Sequence, residues 1–194
     1  SPFDHGFLYG DGVWEHLRVF GGKLFRAPEH LRTLAKAADA LGIELPLSED
    51  ELRAAIDATV KANNRTEGYV RVIVTRGPGT IGPDPRKLEP QLLITAEEYQ
   101  PFPQELCGHG LHAVVSPFVF DLENLAHRFR TLNGLHVVQA KRHALQHGCL
   151  EALLENWNRE VVSATEGAAF AVTGDRLTVG VGAACWDDEA MPVI

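Results

Sequence analysis

Cysteine is sparse in this 194-residue sequence: Cys107, Cys149 and Cys185 stand far apart, odd in number and without a CxxC pair. That spacing argues against a disulfide framework or a zinc knuckle and for reduced thiols in a cytoplasmic protein. No apolar run approaches the ~20 residues that a bilayer span requires. The opening SPFDHGFLYG lacks the basic region and apolar core of a secretory leader. An excess of positive charge is missing too. At a formal charge of −8 the chain is expected to bind neither nucleic acid nor an anionic membrane surface. Internal repeats and low-complexity tracts are not found either.

What is present suits an ordinary globular chain. Apolar residues make up 45% and charged residues 23%, enough to bury a core in one large domain or two small ones. GVWEHLRVFGGKLF alternates apolar and polar residues on both sides of Gly21-Gly22 and reads as a β-hairpin. Pro28 opens a helix in which Leu31, Leu34, Ala38 and Leu41 recur at helical spacing, with Gly42 as its stop. Ser48, followed by Asp50 and Glu51, starts a second helix whose stripe is Leu52, Ile56 and Val60. Two β-rich runs come next, GYVRVIVTRG and PQLLITAEEY, separated by a Gly- and Pro-rich loop at 77–90. Residues 100–110, with Pro101 and Pro103, read as an extended linker between a domain at 1–99 and a domain at 111–194. Past it, LHAVVSPFVF reads as a strand. LNGLHVVQAKRHALQHG reads as a helix ended by Gly148, with Leu132, Leu135, Val138 and Leu145 inward. A strand meander follows, turning at 156–159 and at Gly174-Asp175. The expected fold class is α+β (mixed α/β), with two layers in each half.

With these elements placed, the wording of the chain resembles a known family. FDHGFLYGDGVWEHLRVFGGKLFRAPEHLRTLAKAADALGI, YVRVIVTRGPGTIG and RTLNGLHVVQAKRHALQHGCLEALLENWNREVVS follow, in order, motifs of the aminotransferase class IV family. These are the fold-type IV enzymes that use pyridoxal 5′-phosphate, among them branched-chain and D-amino-acid aminotransferases and aminodeoxychorismate lyases. The resemblance covers most of residues 1 to about 178. It implies a two-domain subunit, a homodimer, a small amino-acid or keto-acid-like ligand and the cofactor held between domains. After RLTV the family's Gly-x-Thr-Arg run is not found, and the closing EAMPVI resembles a later family segment. The second domain is therefore expected to be incomplete relative to the family.

The resemblance also assigns slots. The family's Lys-[Ser/Thr]-x-Asn falls on RTLN, which places Arg130 where the imine-forming lysine belongs. Such a lysine works through a neutral, nucleophilic amine. An arginine stays charged, with a pKa above roughly 12, and has no usable lone pair. The lysines of the chain are Lys23, Lys36, Lys61, Lys87 and Lys141, and Lys141, on the adjoining helix, reads as solvated. The phosphate-arginine slot is Thr33, with Arg32 one position early. The slot of the carboxylate that pairs with the cofactor ring is Ser163 in the ungapped register, in which Ala168 takes the following asparagine and Phe170 matches a core phenylalanine. Glu166 lies three residues downstream of that slot. Tyr9, Glu15 and Arg76 stand where the pattern expects them, Tyr9 and Arg76 as substrate-cleft candidates. For Arg71 a structural ion pair is the favoured role.

Three functional readings follow. The first is a homologue that has lost imine-based catalysis and keeps the scaffold or a ligand cleft, where Arg130 would meet a carboxylate or phosphate. The second is an active cofactor-dependent aminotransferase or lyase acting on a small amino acid. The third is a metal hydrolase on His143 and His147, four apart on a helix. That pair lacks the glutamate of HExxH and a third ligand, and HGLH at 109–112 is weaker, so no metal is expected.

Overall fold

The computed structural model describes residues 1–100 and 103–180, which form two compact units. Within those residues the first unit comprises Ser1–Gln100 with Phe129–Asn133, and the second comprises 103–128 and 134–180. Pro101, Cys185 and the EAMPVI stretch lie outside the described residues.

The first unit opens with a short helix, α1 (His5–Tyr9), whose N-cap Asp4 accepts from the Gly6 N–H at 2.7 Å. β1 (Gly12–Phe20) turns through Gly21 and Gly22 into β2 (Lys23–Leu24). Both glycines have positive φ, 53° and 75°, which this tight hairpin requires and glycine adopts without a Cβ clash. α2 (Ala27–Ala40) carries Pro28 in its first turn, where no helical N–H is lost. α3 (Glu49–Ala62) begins at a reciprocal cap, in which Ser48 and Glu51 satisfy each other's backbone N–H. β3 (Gly68–Thr75) and β4 (Gln91–Glu97) complete an antiparallel sheet of order β2-β1-β3-β4.

Strand side chains alternate between faces. Val13, Leu17 and Val19 of β1 and Val70, Val72 and Val74 of β3 therefore enter one core. Leu31 and Leu34 of α2 and Leu52, Ile56 and Val60 of α3 meet them there. Each such buried side chain stabilises the unit by about 1.5–3 kcal/mol. The other face of the sheet is polar and aromatic, with Trp14, His16 and Arg18 beside Tyr69, Arg71 and Glu97, all half-buried.

The second unit runs through α4 (Gln104–His109), β5 (Ala113–Val115), α5 (Leu125–Arg128), α6 (Leu135–Gln146), β6 (Glu151–Glu155), β7 (Val161–Ala164), β8 (Phe170–Thr173) and β9 (Arg176–Val179). β5 and β6 pair in parallel with α6 in the connection, β7 joins β6 antiparallel, and β8 and β9 form a separate hairpin. Its core is smaller: Phe120, Ala140, Ala144, Ala152, Leu154 and Val162.

Here the structure corrects several sequence readings. The presumed linker holds α4, with Pro103 in the capping position that a helix start tolerates. The strand expected across 111–120 shrinks to Ala113–Val115. Pro117 lacks a ladder donor, and the Ser116 hydroxyl accepts the Phe118 N–H at 3.0 Å in a local turn. The inward face of α6 is reversed. Leu135, Val138 and Leu145 are 69%, 60% and 55% exposed, while Ala140 and Ala144 are fully buried. Val138 and Ala140 lie roughly 200° apart around a helix, so only one stripe can face the sheet. The small alanines let β6 approach. Phe170, expected in a core, is also exposed.

Candidate functional site

Among the described residues, β1 carries β3 along one edge, and β2 covers only Val19 and Phe20 of the other. Residues 129–133 lie on the part of that edge left open. Thr131 bridges Val13, the Trp14 N–H donates to the Arg130 carbonyl (2.9 Å), and the Leu132 N–H donates to the Gly12 carbonyl (3.0 Å). Two side chains reinforce the seam: Trp14 Nε1 donates to the Thr131 carbonyl and Asn133 Nδ2 to the Gly10 carbonyl, each at 2.9 Å. Phe129 packs against the unit's core.

Arg130 leaves this segment to ion-pair, through Nη1, with Oε1 of Glu15. Glu15 is fully buried in β1. The same Oε1 accepts the His16 backbone N–H at 2.9 Å, and His30 Nδ1 of α2 stands 3.3 Å away. Oε2 is buried and has no hydrogen-bond partner among the described residues. The guanidinium also lies 5.5 Å from the Trp14 ring centroid, within cation–π range. So Glu15 serves as the counter-ion of Arg130.

On the other face of β1, His16 Nε2 accepts from Arg71 Nε at 2.6 Å. An acceptor nitrogen means a neutral ring with its proton on Nδ1. Burial pushes the His16 pKa down to about 4, and the Arg71 and Arg130 charges push the same way. Trp14 and Tyr69 flank the ring at 4.6 and 5.5 Å between centroids.

The remaining sequence candidates are placed as follows. Thr33 is buried, and its hydroxyl donates to the Glu29 carbonyl at 3.1 Å, a bond internal to α2. Arg32, next to it, is exposed. Arg76 makes the structural ion pair that the sequence suggested for Arg71. It grips Asp11 at 2.5 and 3.0 Å and donates to the Leu41 and Gly42 carbonyls. Among the described residues Arg71 meets His16 and no carboxylate. Tyr9 is exposed, with its ring edge-on to His5.

In the second unit Ser163 is buried and donates to the Ala164 carbonyl at 2.7 Å. Glu166 pairs with Lys141 at 2.6 Å, and Lys141 also donates to the Leu150 carbonyl. Lys141 is thus half-buried and committed, a correction to the solvated reading. His143 and His147 stack with centroids 4.2 Å apart, and His147 Nδ1 lies 2.9 Å from the His143 carbonyl. Among the described residues no group of three or more His, Cys, Asp or Glu could hold a metal ion. None of the described helices is long and apolar enough to cross a membrane. Sequence reasoning missed His16 and His30. Their signal was weak: a polar residue at an alternate position of β1, and a histidine in the first turn of α2.

These side chains do not fit the cofactor that the family would carry. Arg130, which the resemblance sets in the lysine slot, is a guanidinium committed to Glu15. The hydroxyls of Thr33 and Ser163, which the resemblance sets in the phosphate and ring-carboxylate slots, are turned onto backbone carbonyls, and Glu166 is paired with Lys141.

Comparison with known proteins agrees with the fold. The chain is 37% identical over 174 residues to a Methanocaldococcus jannaschii protein named for branched-chain-amino-acid aminotransferase activity, covering 89% of this chain and 59% of that one. It is 33% identical to the D-alanine aminotransferase of Bacillus licheniformis, over 78% of this chain and 52% of the relative. The crystal structure of 4-amino-4-deoxychorismate lyase from Pseudomonas aeruginosa superposes with a TM-score of 0.79 at 26% identity, over 92% of this chain and 65% of that one. The chain thus spans a little over half the length of these curated relatives. A family model described as amino-transferase class IV matches residues 12–180, and with these likenesses it establishes that the chain belongs to the class IV aminotransferase family.

Proposed function

We propose that this chain is a class IV aminotransferase homologue that has lost imine-based catalysis while keeping the family's scaffold. The observation that carries the reading is the commitment of Arg130, in the lysine slot, to the buried Glu15 carboxylate. A guanidinium supplies neither the nucleophilic amine nor the proton shuttle that the family's chemistry uses. The hydroxyl of Ser163 in the carboxylate slot supports the same reading, since it offers no negative charge to a ring nitrogen. The family resemblance further supports a cytoplasmic homodimer and a small amino-acid or keto-acid-like ligand.

A second reading, an active cofactor-dependent aminotransferase or lyase, draws support from one feature. Lys141 is half-buried and lies beside Glu166, so an amine and a carboxylate do stand together in the second unit.

Incubation with pyridoxal 5′-phosphate, borohydride reduction and mass spectrometry separate the two. The expected result is no stoichiometric adduct on any lysine and no turnover of an amino donor. An adduct on Lys141 with turnover would establish the second reading instead. Arg130→Lys is expected to transaminate poorly, because Ser163 still holds the carboxylate slot.

A further inference from the structure

An edge segment as short as 129–133, held by a few backbone hydrogen bonds, is only marginally stable on a sheet. This one has an additional tie. Its Arg130 reaches Glu15, a carboxylate with no exposure to solvent, on the strand that the segment borders. If the segment lifted away, Glu15 would lose its charged partner while still buried, the costliest state for an ion pair. Trp14 couples the two contacts, since its indole N–H holds the Thr131 carbonyl and its ring lies beside the Arg130 guanidinium. His30 Nδ1 also stands 3.3 Å from the Glu15 oxygen that Arg130 reaches, but it is carried by α2 and does nothing to hold the segment to the edge.

We propose that the Arg130–Glu15 pair is an electrostatic clasp that docks residues 129–133 on the open edge of β1. The position that the family devotes to chemistry here holds structure. This goes beyond the loss of imine chemistry and stands or falls separately from it.

The clasp makes a local claim, so amide hydrogen exchange on the full chain tests it. In Arg130→Met the amides of Trp14 and Leu132, which donate across the seam, are expected to exchange at least tenfold faster. Those of Val70 and Val72 in β3 should stay within twofold of the unsubstituted chain. Arg130→Lys, which keeps the charge but loses the planar fork, should fall between the two. Combining Arg130→Met with Glu15→Leu should recover much of the protection, because no buried charge is then left unpaired. A merely damaging substitution would not be rescued in this way. Exchange at Trp14 and Leu132 unchanged within twofold in Arg130→Met would overturn the clasp. So would equal loosening of Val70 and Val72, or a double variant no better than the single one. A cofactor adduct on a lysine, by contrast, would overturn the proposed function and leave these exchange rates as they are.

Discussion

The two units of this chain solve the same problem with unequal means. Among the described residues of the first, apolar side chains on β1, β3, α2 and α3 fall on the faces that are buried, and fifteen buried residues form one core. Among those of the second, the core is six residues, three of them alanine, and Leu135, Val138 and Leu145 of α6 are exposed. The lesson concerns volume as much as polarity. Where a helix has both a leucine–valine stripe and an alanine stripe, the distance to the sheet decides which one packs. α6 sits close to β6, so the alanines face inward.

Four measurements would break or sharpen this contrast, beginning with the largest effect. Leu34→Ala, at a fully buried position of α2, should cost about 2–5 kcal/mol in chemical denaturation of the first unit. A cost below about 1 kcal/mol would mean that this core is not close-packed.

The second measurement is the pH dependence of stability. His16 has a folded pKa of about 4, below the ordinary 6.5, so the unfolded chain takes up a proton first as pH falls. Stability from this residue is therefore full above about pH 6.5 and is lost progressively down to about pH 4, below which it levels. One proton sets a ceiling of about 1.4 kcal/mol per pH unit on the slope, and solvent screening at this partly exposed ring lowers it. His16→Gln should flatten that portion of the curve; an unchanged slope would reassign it to other groups.

Third, Ser48→Ala removes the reciprocal cap of α3 and should lower stability by about 1 kcal/mol. α6 has no side-chain cap to remove, its N-cap being Gly134. The smallest effect is expected for Leu145→Gln on the exposed face of α6, within about 0.5 kcal/mol in thermal or urea unfolding. A loss matching that of Leu34→Ala would show that this face is covered in solution.

Much of the first unit was legible from periodicity alone. The Gly21-Gly22 hairpin, the Ser48 cap and the stripe Leu52, Ile56 and Val60 depend on neighbours within a few residues, and each is found where local rules place it. The motif that sets Arg130 against a family lysine is likewise a local string, RTLN. The partner of Arg130 was not legible: Glu15 lies 115 residues away along the chain, and only the pairing of an edge segment with β1 brings them together. Arg71 and Arg76 show the same limit. Arg76 read as a substrate-cleft candidate and Arg71 as an ion-pair arginine, yet it is Arg76 that grips the Asp11 carboxylate, while Arg71 stands opposite His16 on the polar face.

Residue identity alone thus determined the family, the main helices and strands of the first unit, and the chemical incapacity of a guanidinium at position 130. Tertiary structure decided which face of α6 packs, which of Arg71 and Arg76 finds a carboxylate, and that Arg130 meets Glu15. The division has a physical cause. Backbone preference and side-chain chemistry act over a few residues, whereas burial and charge pairing are properties of the space that distant segments enclose together.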